Sequence, residues 1–512
     1  MAALDSLNRT LLEEKLLGTT LADYPRELLN YPERVIQFGE GNFLRAFVEW
    51  MIHEMNKAGA FKGRVVVVQP IAQGRVSDLN AQDGLYTLLL RGVQNGKVVN
   101  SREIIPAISR GLDAYSQWRE VLKCAEDPQI EFVVSNTTEA GIVYLPGEKL
   151  DDTPTCANPP KSYPAKLAVY LYHRFQFFHG DPAKGMVIIP CELIEANGSN
   201  LKAVILKLAA EWGLPPEFSQ WIEAHNYFLN TLVDRIVTGY PSKDAAKIES
   251  ELGYHDQNLD TGEIFHLWVI EGDARLADRL PFHKAGLNVK WVKDLTPYRT
   301  RKVRILNGAH TSTVAVACLS DIDIVRDAVN DGTVGKFMQS VLFDEIIPTL
   351  DSDVNELKGF AKDVLERFNN PFIDHKWFDI ALNSTSKFET RVMPSLRRYV
   401  EKSGKLPKKL TFSLAALIAL YHGTEIRGNK LVGSRNGKEY FIQDDPETLE
   451  FFRDNWNRYE TGAITLAAIV DNVMHRFWPD FAKQHPQIIT EVTNYLSVIV
   501  NSGIGPGLKK CS

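Results

Sequence analysis

At 512 residues the chain has room for about two to four domains of ordinary size. Hydrophobic residues make up 44% and charged residues 24%, and 58 Lys and Arg against 64 Asp and Glu leave a net charge of −6, which excludes a strongly basic nucleic-acid binder and a disordered chain. No apolar run approaches the roughly 18 residues of a membrane span, and the opening segment lacks a basic-then-apolar export pattern, so a cytoplasmic protein with no nucleic-acid or membrane partner is expected.

The first strong signal is RVIQFGEGNFLRAFVEWMI, residues 34–52. Val35, Ile36 and Phe38 form the short apolar run of a buried strand, which stops at Gly39 and Gly41; Phe43, Ala46, Phe47, Trp50 and Met51 then recur at helical spacing. Further buried-strand runs are Val65 to Val68, Phe132 to Val134 and Met186 to Pro190. Strands alternating with helical stretches predict parallel pairing through crossover helices. The proline-rich stretch from Asp151 to Pro164 reads as a surface excursion that is neither helix nor central strand.

After about residue 295 helical periodicity takes over, from Val334 to Ile346, Val354 to Phe368, Leu414 to Tyr421 and Ile488 to Val500, with one possible short strand pair around Asn436 and Gly437. The expectation is an α/β fold, with a Rossmann-type doubly wound N-terminal domain over 1–295, carrying insertions, and a mostly α-helical C-terminal domain over 296–512. Five scattered cysteines, none at a CxxC spacing, read as reduced structural thiols.

Two stretches carry chemistry. Gly39-Glu40-Gly41 between a strand and a helix suits a dinucleotide pyrophosphate, because the first glycine permits a tight turn and the second lets phosphate approach the helix N-terminus. The third fingerprint glycine is replaced by Leu44, and the acid expected on the second strand is replaced by Gln69, which leaves NAD against NADP open. The second stretch is KVRILNGAH. On an α-helix, with Lys302 as origin, Asn307 falls near about 140° and His310 near about 80°, a polar face able to protonate, stabilise and orient a carbonyl oxygen undergoing reduction. Taken alone, the same residues also suit a solvated charge, a cap and a core histidine.

GEGNFLRAF, SNTTEAG, the segment from Cys191 to Asn197-Gly198, LVDRI and KVRILNGAH follow one another in the order seen in the polyol-specific long-chain dehydrogenases, and the chain resembles this mannitol dehydrogenase family over roughly 30–500. The resemblance implies NAD as cofactor, a small-molecule substrate, no metal, and an oligomeric state left unspecified. It makes Lys302 the acid/base, Asn307 the alkoxide-stabilising donor and His310 a substrate-orienting group. It places Gly39, Gly41, Asn42, Phe43, Arg45, Gln69, Thr138 and Glu139 against the cofactor, and Asp234 and Lys387 against the substrate. Asp234 with Arg235 reads alternatively as an ion pair on a helix surface. Two departures matter: Leu193 stands where mannitol dehydrogenases carry an asparagine, so that either Asn197 or another donor replaces it or Asn307 acts alone, and Arg299 stands where they carry an acid or is a surface charge. An arginine there suits a substrate bearing a carboxylate, hence a sugar acid.

Overall fold

The computed structural model describes residues 4–137, 141–151 and 158–511. The chain divides into two compact units, one made of Met1–Gly92 with Val98–Leu295 and the other of Val93–Lys97 with Thr296–Ser512. Residues 93–97, expected in the first domain, thus group with the second. No helix among the described residues is long and apolar enough to cross a membrane.

In the first unit, β1 (Glu33–Phe38) pairs in parallel with β2 (Arg64–Gln69) on one side and with a strand over Phe132–Ser135 on the other. Successive residues of these strands face opposite ways and both faces are buried: Val35, Val65, Val67 and Val134 enter one apolar cluster, while Ile36, Phe38, Val66, Val68 and Val133 enter another. Continuous apolar runs are what a strand covered on both faces requires. Numbered along the chain, the strands are β3 (Tyr86–Gln94), β4 (Lys97–Ile105), β5 (Ile108–Asp113), β6 (Phe132–Ser135), β7 (Val187–Pro190) and β8 (Tyr227–Phe228). The main sheet runs β5-β2-β1-β6-β7-β8 and is parallel throughout. Its first three strands in chain order lie on one side and its last three on the other, so the order reverses between β1 and β6, the position at whose C-terminal strand ends such sheets bind ligands.

The β3–β4 hairpin is inserted before β5 and turns at Asn95 and Gly96, both at positive φ (53° and 73°), as a two-residue primed turn demands. Beyond the main sheet, β9 (Asn230–Asp234), β11 (Leu267–Glu271) and β12 (Val289–Val292) form a second sheet, and β10 (Asp260–Glu263) lies along β3. Of the main sheet, β1, β2, β6 and β7 were legible as strands and β5 was not, and the apolar run from Leu267 to Ile270 in β11 was passed over. Pro164 corrects the proline-rich excursion: it sits in the first turn of the helix Tyr163–Phe177, capped by the Ser162 hydroxyl, where a missing N–H costs nothing.

The second unit is helical apart from an antiparallel sheet of β13 (Gly423–Arg427), β14 (Lys430–Arg435) and β15 (Lys438–Ile442). The expected pair around Asn436-Gly437 is β14–β15, and the third strand is an addition. Cys124, Cys191, Cys318 and Cys511 are free and buried, while Cys156 lies outside the described residues.

Beneath the helix that follows β1, Arg45 reaches into the interior, its Nε 3.6 Å from Asp260, and Glu49 accepts a hydrogen bond of 2.7 Å from Gln37. Burial raises the carboxyls of Glu49 and Asp260 to about 7 each. Both folded-state values lie above the unfolded ones, so between them the folded chain holds the extra proton and stability falls as pH rises through that window. Glu49→Gln removes one of these groups. The expected outcome is a melting temperature that declines less than the wild type's between about pH 5 and about pH 8; parallel profiles refute the assignment.

Candidate functional site

Each unit carries some of the candidate residues. In the first unit, the glycine turn closes β1. Gly39 has φ +119°, donates to the Val68 carbonyl at 2.9 Å, and would bring a Cβ to 3.1 Å from the Asn136 carbonyl oxygen, so both conformation and space require glycine. Gly41 is different. It lies at φ −67° with nothing within 4 Å of where a Cβ would stand, and it caps the helix over 42–57 with no side chain on the first N–H groups. A backbone open at an uncapped helix N-terminus, beside the point where sheet order reverses, fits a dinucleotide phosphate.

Asn42 and Phe43 occupy the first turn; Phe43 stacks on Phe47 at 5.0 Å and the Asn42 Oδ1 accepts from Arg45 at 2.6 Å. Arg45 corrects its sequence reading. Only 1% exposed, its guanidinium faces Asp260 and lies 5.5 Å from the Tyr86 ring, so it acts by holding Asn42 and not by meeting phosphate. Gln69 is likewise engaged: its Nε2 donates to the Ile71 carbonyl and its Oε1 accepts from the Val76 N–H, which shapes the loop after β2 and leaves no reach toward a ribose as its main use. A Cβ on Gly74 would lie 2.2 Å from the Glu40 Oε1 and 2.4 Å from the Gln69 amide, so a larger residue there would have to displace these side-chain ends. Thr138 and Glu139 lie outside the described residues.

Glu192 was not singled out from sequence. Its buried carboxylate accepts from the Ser135 and Thr137 hydroxyls, each at 3.1 Å, and from the Thr137 N–H at 3.0 Å, fixing the chain where it leaves β6. Burial raises its pKa, against these hydrogen bonds. Asn197 corrects its reading as a substitute donor. It is fully buried; Nδ2 donates to the carbonyls of Pro190 and Glu192, and Oδ1 accepts from the N–H groups of Thr231 and Gly198. The side chain ties β7 to β9 and has nothing left for a substrate. Asp234 is buried at the end of β9, a strand and not a helix surface. Arg235 stacks 4.1 Å above Trp50 and donates to the carbonyls of Ala46, Ile264 and Phe265, so the surface ion-pair alternative fails.

In the second unit, Arg299 lies half-buried on the helix Thr296–Arg301, and Lys302 opens a π-helical turn, Lys302–Asn307, that runs into the α-helix Gly308–Leu319. A turn closed i→i+5 is wider than an α turn and advances roughly 80° per residue, so Asn307 returns to about 40° from Lys302. Three α-helical steps then bring His310 within about 60° of Asn307. The π turn therefore narrows the polar face that an α-helix would spread. Gly308 permits it to pack: a Cβ there would lie 3.3 Å from the Arg391 carbonyl oxygen.

His310 is buried, its ring parallel to Phe368 at 4.1 Å and edge-on to His375 at 5.2 Å and Trp377 at 6.0 Å. Its Nε2 is out of solvent with no hydrogen-bond partner among the described residues. Burial first, then the charges of His375, Arg367, Arg391 and Lys387, hold its pKa well below the ordinary value, so the imidazole is neutral at neutral pH. Lys387, on the helix Ser384–Arg391, donates to the Ile380 carbonyl at 3.0 Å and has its pKa lowered by burial.

Asn197→Ala is expected to cost about 3 kcal/mol or more in denaturant unfolding, because the Thr231 N–H and two carbonyls lose their partner in the interior. A loss below about 0.5 kcal/mol contradicts the structural role.

Two family models match the chain, the mannitol dehydrogenase Rossmann domain over residues 33–284 and the mannitol dehydrogenase C-terminal domain over 294–496. Proteins named altronate oxidoreductase from Halalkalibacterium halodurans and from Escherichia coli O6:K15:H31 are 44% identical over 476 residues and 46% identical over 477; the alignments cover 92% and 93% of this chain and 92% and 96% of theirs. Of solved structures, a D-sorbitol dehydrogenase superposes with TM-score 0.79 at 21% identity, covering 98% of this chain and all (100%) of its own. A Pseudomonas fluorescens mannitol 2-dehydrogenase, in a complex with NAD and D-mannitol, gives 0.64 at 21% identity, covering 99% of each chain.

Proposed function

The chain belongs to the mannitol dehydrogenase family, and we propose that it is an NAD-dependent oxidoreductase that interconverts D-tagaturonate and D-altronate. The relatives' name supports the substrate, and their 44–46% identity over more than nine-tenths of the chain supports carrying it across. The observation that carries the reaction type is the π turn, which gathers a lysine, an asparagine and a neutral histidine on one helix face.

The dinucleotide would be held by the open backbone at Gly41 and the uncapped helix behind it, with Gly39 shaping the turn and Glu192 fixing the neighbouring segment at Ser135 and Thr137. Bound there, it supplies or accepts the hydride. In reduction, the Lys302 ammonium gives its proton to the keto oxygen as that oxygen becomes a hydroxyl; in oxidation, the neutral amine takes the proton back. The Asn307 amide donates to the oxygen while negative charge develops on it, a stabilisation larger in the transition state than in the ground state. His310, neutral and with one ring nitrogen unpaired in the interior, hydrogen-bonds an adjacent hydroxyl and sets the carbonyl's orientation. Arg299, three residues before Lys302, and Lys387 supply positive charge suited to a carboxylate-bearing sugar, with Asp234 as an acceptor for its hydroxyls.

The direct test is NADH oxidation with tagaturonate, fructuronate and fructose offered side by side; tagaturonate is expected to give the highest kcat/KM, and a preference for fructose overturns the substrate. Lys302→Ala is expected to lower kcat about 10²-fold or more while the Kd for NADH stays within about twofold. Near-wild-type turnover in that variant removes the lysine from the mechanism.

A further inference from the structure

Charge is distributed unevenly around His310. Four groups that carry or can carry positive charge act on it electrostatically, Arg367, His375, Lys387 and Arg391, and the His375 ring lies 5.2 Å away. Lys387 and Arg391 stand one turn apart on the helix Ser384–Arg391, so their side chains lie on the same face. That helix ends against the catalytic-looking segment, with the Arg391 carbonyl oxygen 3.3 Å from the position of a Cβ on Gly308, the residue after Asn307.

Two acids near this helix, Glu389 and Asp444, are committed elsewhere. Glu389 receives both Arg397 amino groups, at 2.9 and 3.2 Å. Asp444 accepts from the hydroxyls of Tyr421, at 2.5 Å, and Thr385, at 3.1 Å, and its other oxygen accepts from the Asp445 N–H. Arg391 itself is half-buried, and no hydrogen bond or ion pair engages its guanidinium among the described residues. Burial lowers its pKa. A desolvated guanidinium without an anion is a cost to the fold, and the cost is returned when an anionic ligand supplies the missing partner.

We propose that Arg391, with Lys387 one turn away, is the specificity-determining anchor for the substrate's carboxylate, gripping it while His310 beside them orients the sugar hydroxyls. This rests on the reading of the enzyme as a sugar-acid oxidoreductase and assigns the carboxylate to a residue of the helix Ser384–Arg391 in addition to the cation read from sequence, Arg299. The guanidinium fork suits two parallel hydrogen bonds to a carboxylate, which the lysine ammonium does not reproduce.

The experiment is steady-state kinetics of the full-length wild type, Arg391→Ala, Arg391→Lys and Arg299→Ala with NADH and tagaturonate, fructuronate or fructose. For Arg391→Ala the KM for tagaturonate is expected to rise about 30-fold or more, with kcat within about fivefold and the KM for NADH within about twofold. Arg391→Lys is expected to recover part of the loss, near a fivefold to tenfold rise, because it keeps the charge and loses the fork. A merely structural role would lower kcat and raise both KM values together, and that pattern overturns the assignment. It is overturned as well if Arg391→Ala and Arg391→Lys both keep the tagaturonate KM within about twofold, or if Arg299→Ala alone shows the large rise. Should Arg391→Ala fail to fold, Arg391→Lys alone decides between a raised and an unchanged KM. A wild type that reduces fructose and neither uronate overturns the substrate reading before any variant is compared, and this assignment falls with it; a wild type that prefers a uronate, paired with unaffected variants, overturns only the role of Arg391.

Discussion

Lys302 and Asn307 are five residues apart, and an ordinary α-helix would set them far enough around its circumference that no single substrate oxygen faces both. The wider turn from Lys302 to Asn307 removes that obstacle, since closing i→i+5 places the first and sixth residues almost one above the other. Such a turn is less favourable for the backbone than an α turn, and it persists here because its surroundings hold it. Ile305 is buried, Arg304 donates to the Ser395 hydroxyl at 2.6 Å, and Gly308 lets the end of the helix Ser384–Arg391 approach without a side chain between them. The proposed chemistry depends on this packed distortion more than on the identity of any one polar residue.

In the first unit the polar side chains divide by what they spend their hydrogen bonds on. Asn197, Gln69 and Arg45 satisfy backbone groups or neighbouring side chains, and each makes a loop or strand end rigid. Gly39 and Gly41 act through what they lack. The first accepts a backbone conformation closed to other residues and the second leaves helix N–H groups open at the sheet's crossover point. Glu192 belongs with the first group, because three donors from Ser135 and Thr137 converge on it. The proposed binding surface and its supporting framework are thus built from different residues, and substitutions in the framework are felt as stability before they are felt as affinity.

Long apolar runs made much of the architecture legible, although Leu88 to Leu90 in β3 and Leu267 to Ile270 in β11 were passed over. Val35 to Phe38 and Val65 to Val68 announced a doubly covered parallel sheet, and the period of Val354 to Phe368 matched a helix with those bounds. Illegible were strands whose residues are polar, such as β10, where Asp260 and Glu263 are buried in a hydrogen-bonded interior, and β13, whose exposed residues carry no alternation. Asn197 and Gln69 were misread for a related reason: an amide that faces backbone groups and one that faces a ligand are identical in sequence, and only the three-dimensional accounting of donors and acceptors separates them. The π turn was hidden because a fixed 100° step was assumed through it. The pairing of Lys387 with Arg391 four residues later was visible as spacing, yet its meaning depended on knowing that Glu389 and Asp444 are already occupied.

The surroundings of His310 tie protonation and selectivity to one cause. Burial is the largest influence holding the imidazole neutral, and the nearby cations add to it. Those same cations lower the energy of an anionic ligand, so a carboxylate entering beside Arg391 and Lys387 cancels part of the positive field that His310 feels. Its proton affinity then rises, but the desolvation that dominates the shift remains and deepens as water leaves. A neutral sugar alcohol would gain nothing from these charges and would leave the Arg391 guanidinium uncompensated in a drier site. Discrimination in favour of a sugar acid therefore arises less from attraction alone than from the penalty that an uncharged competitor leaves behind.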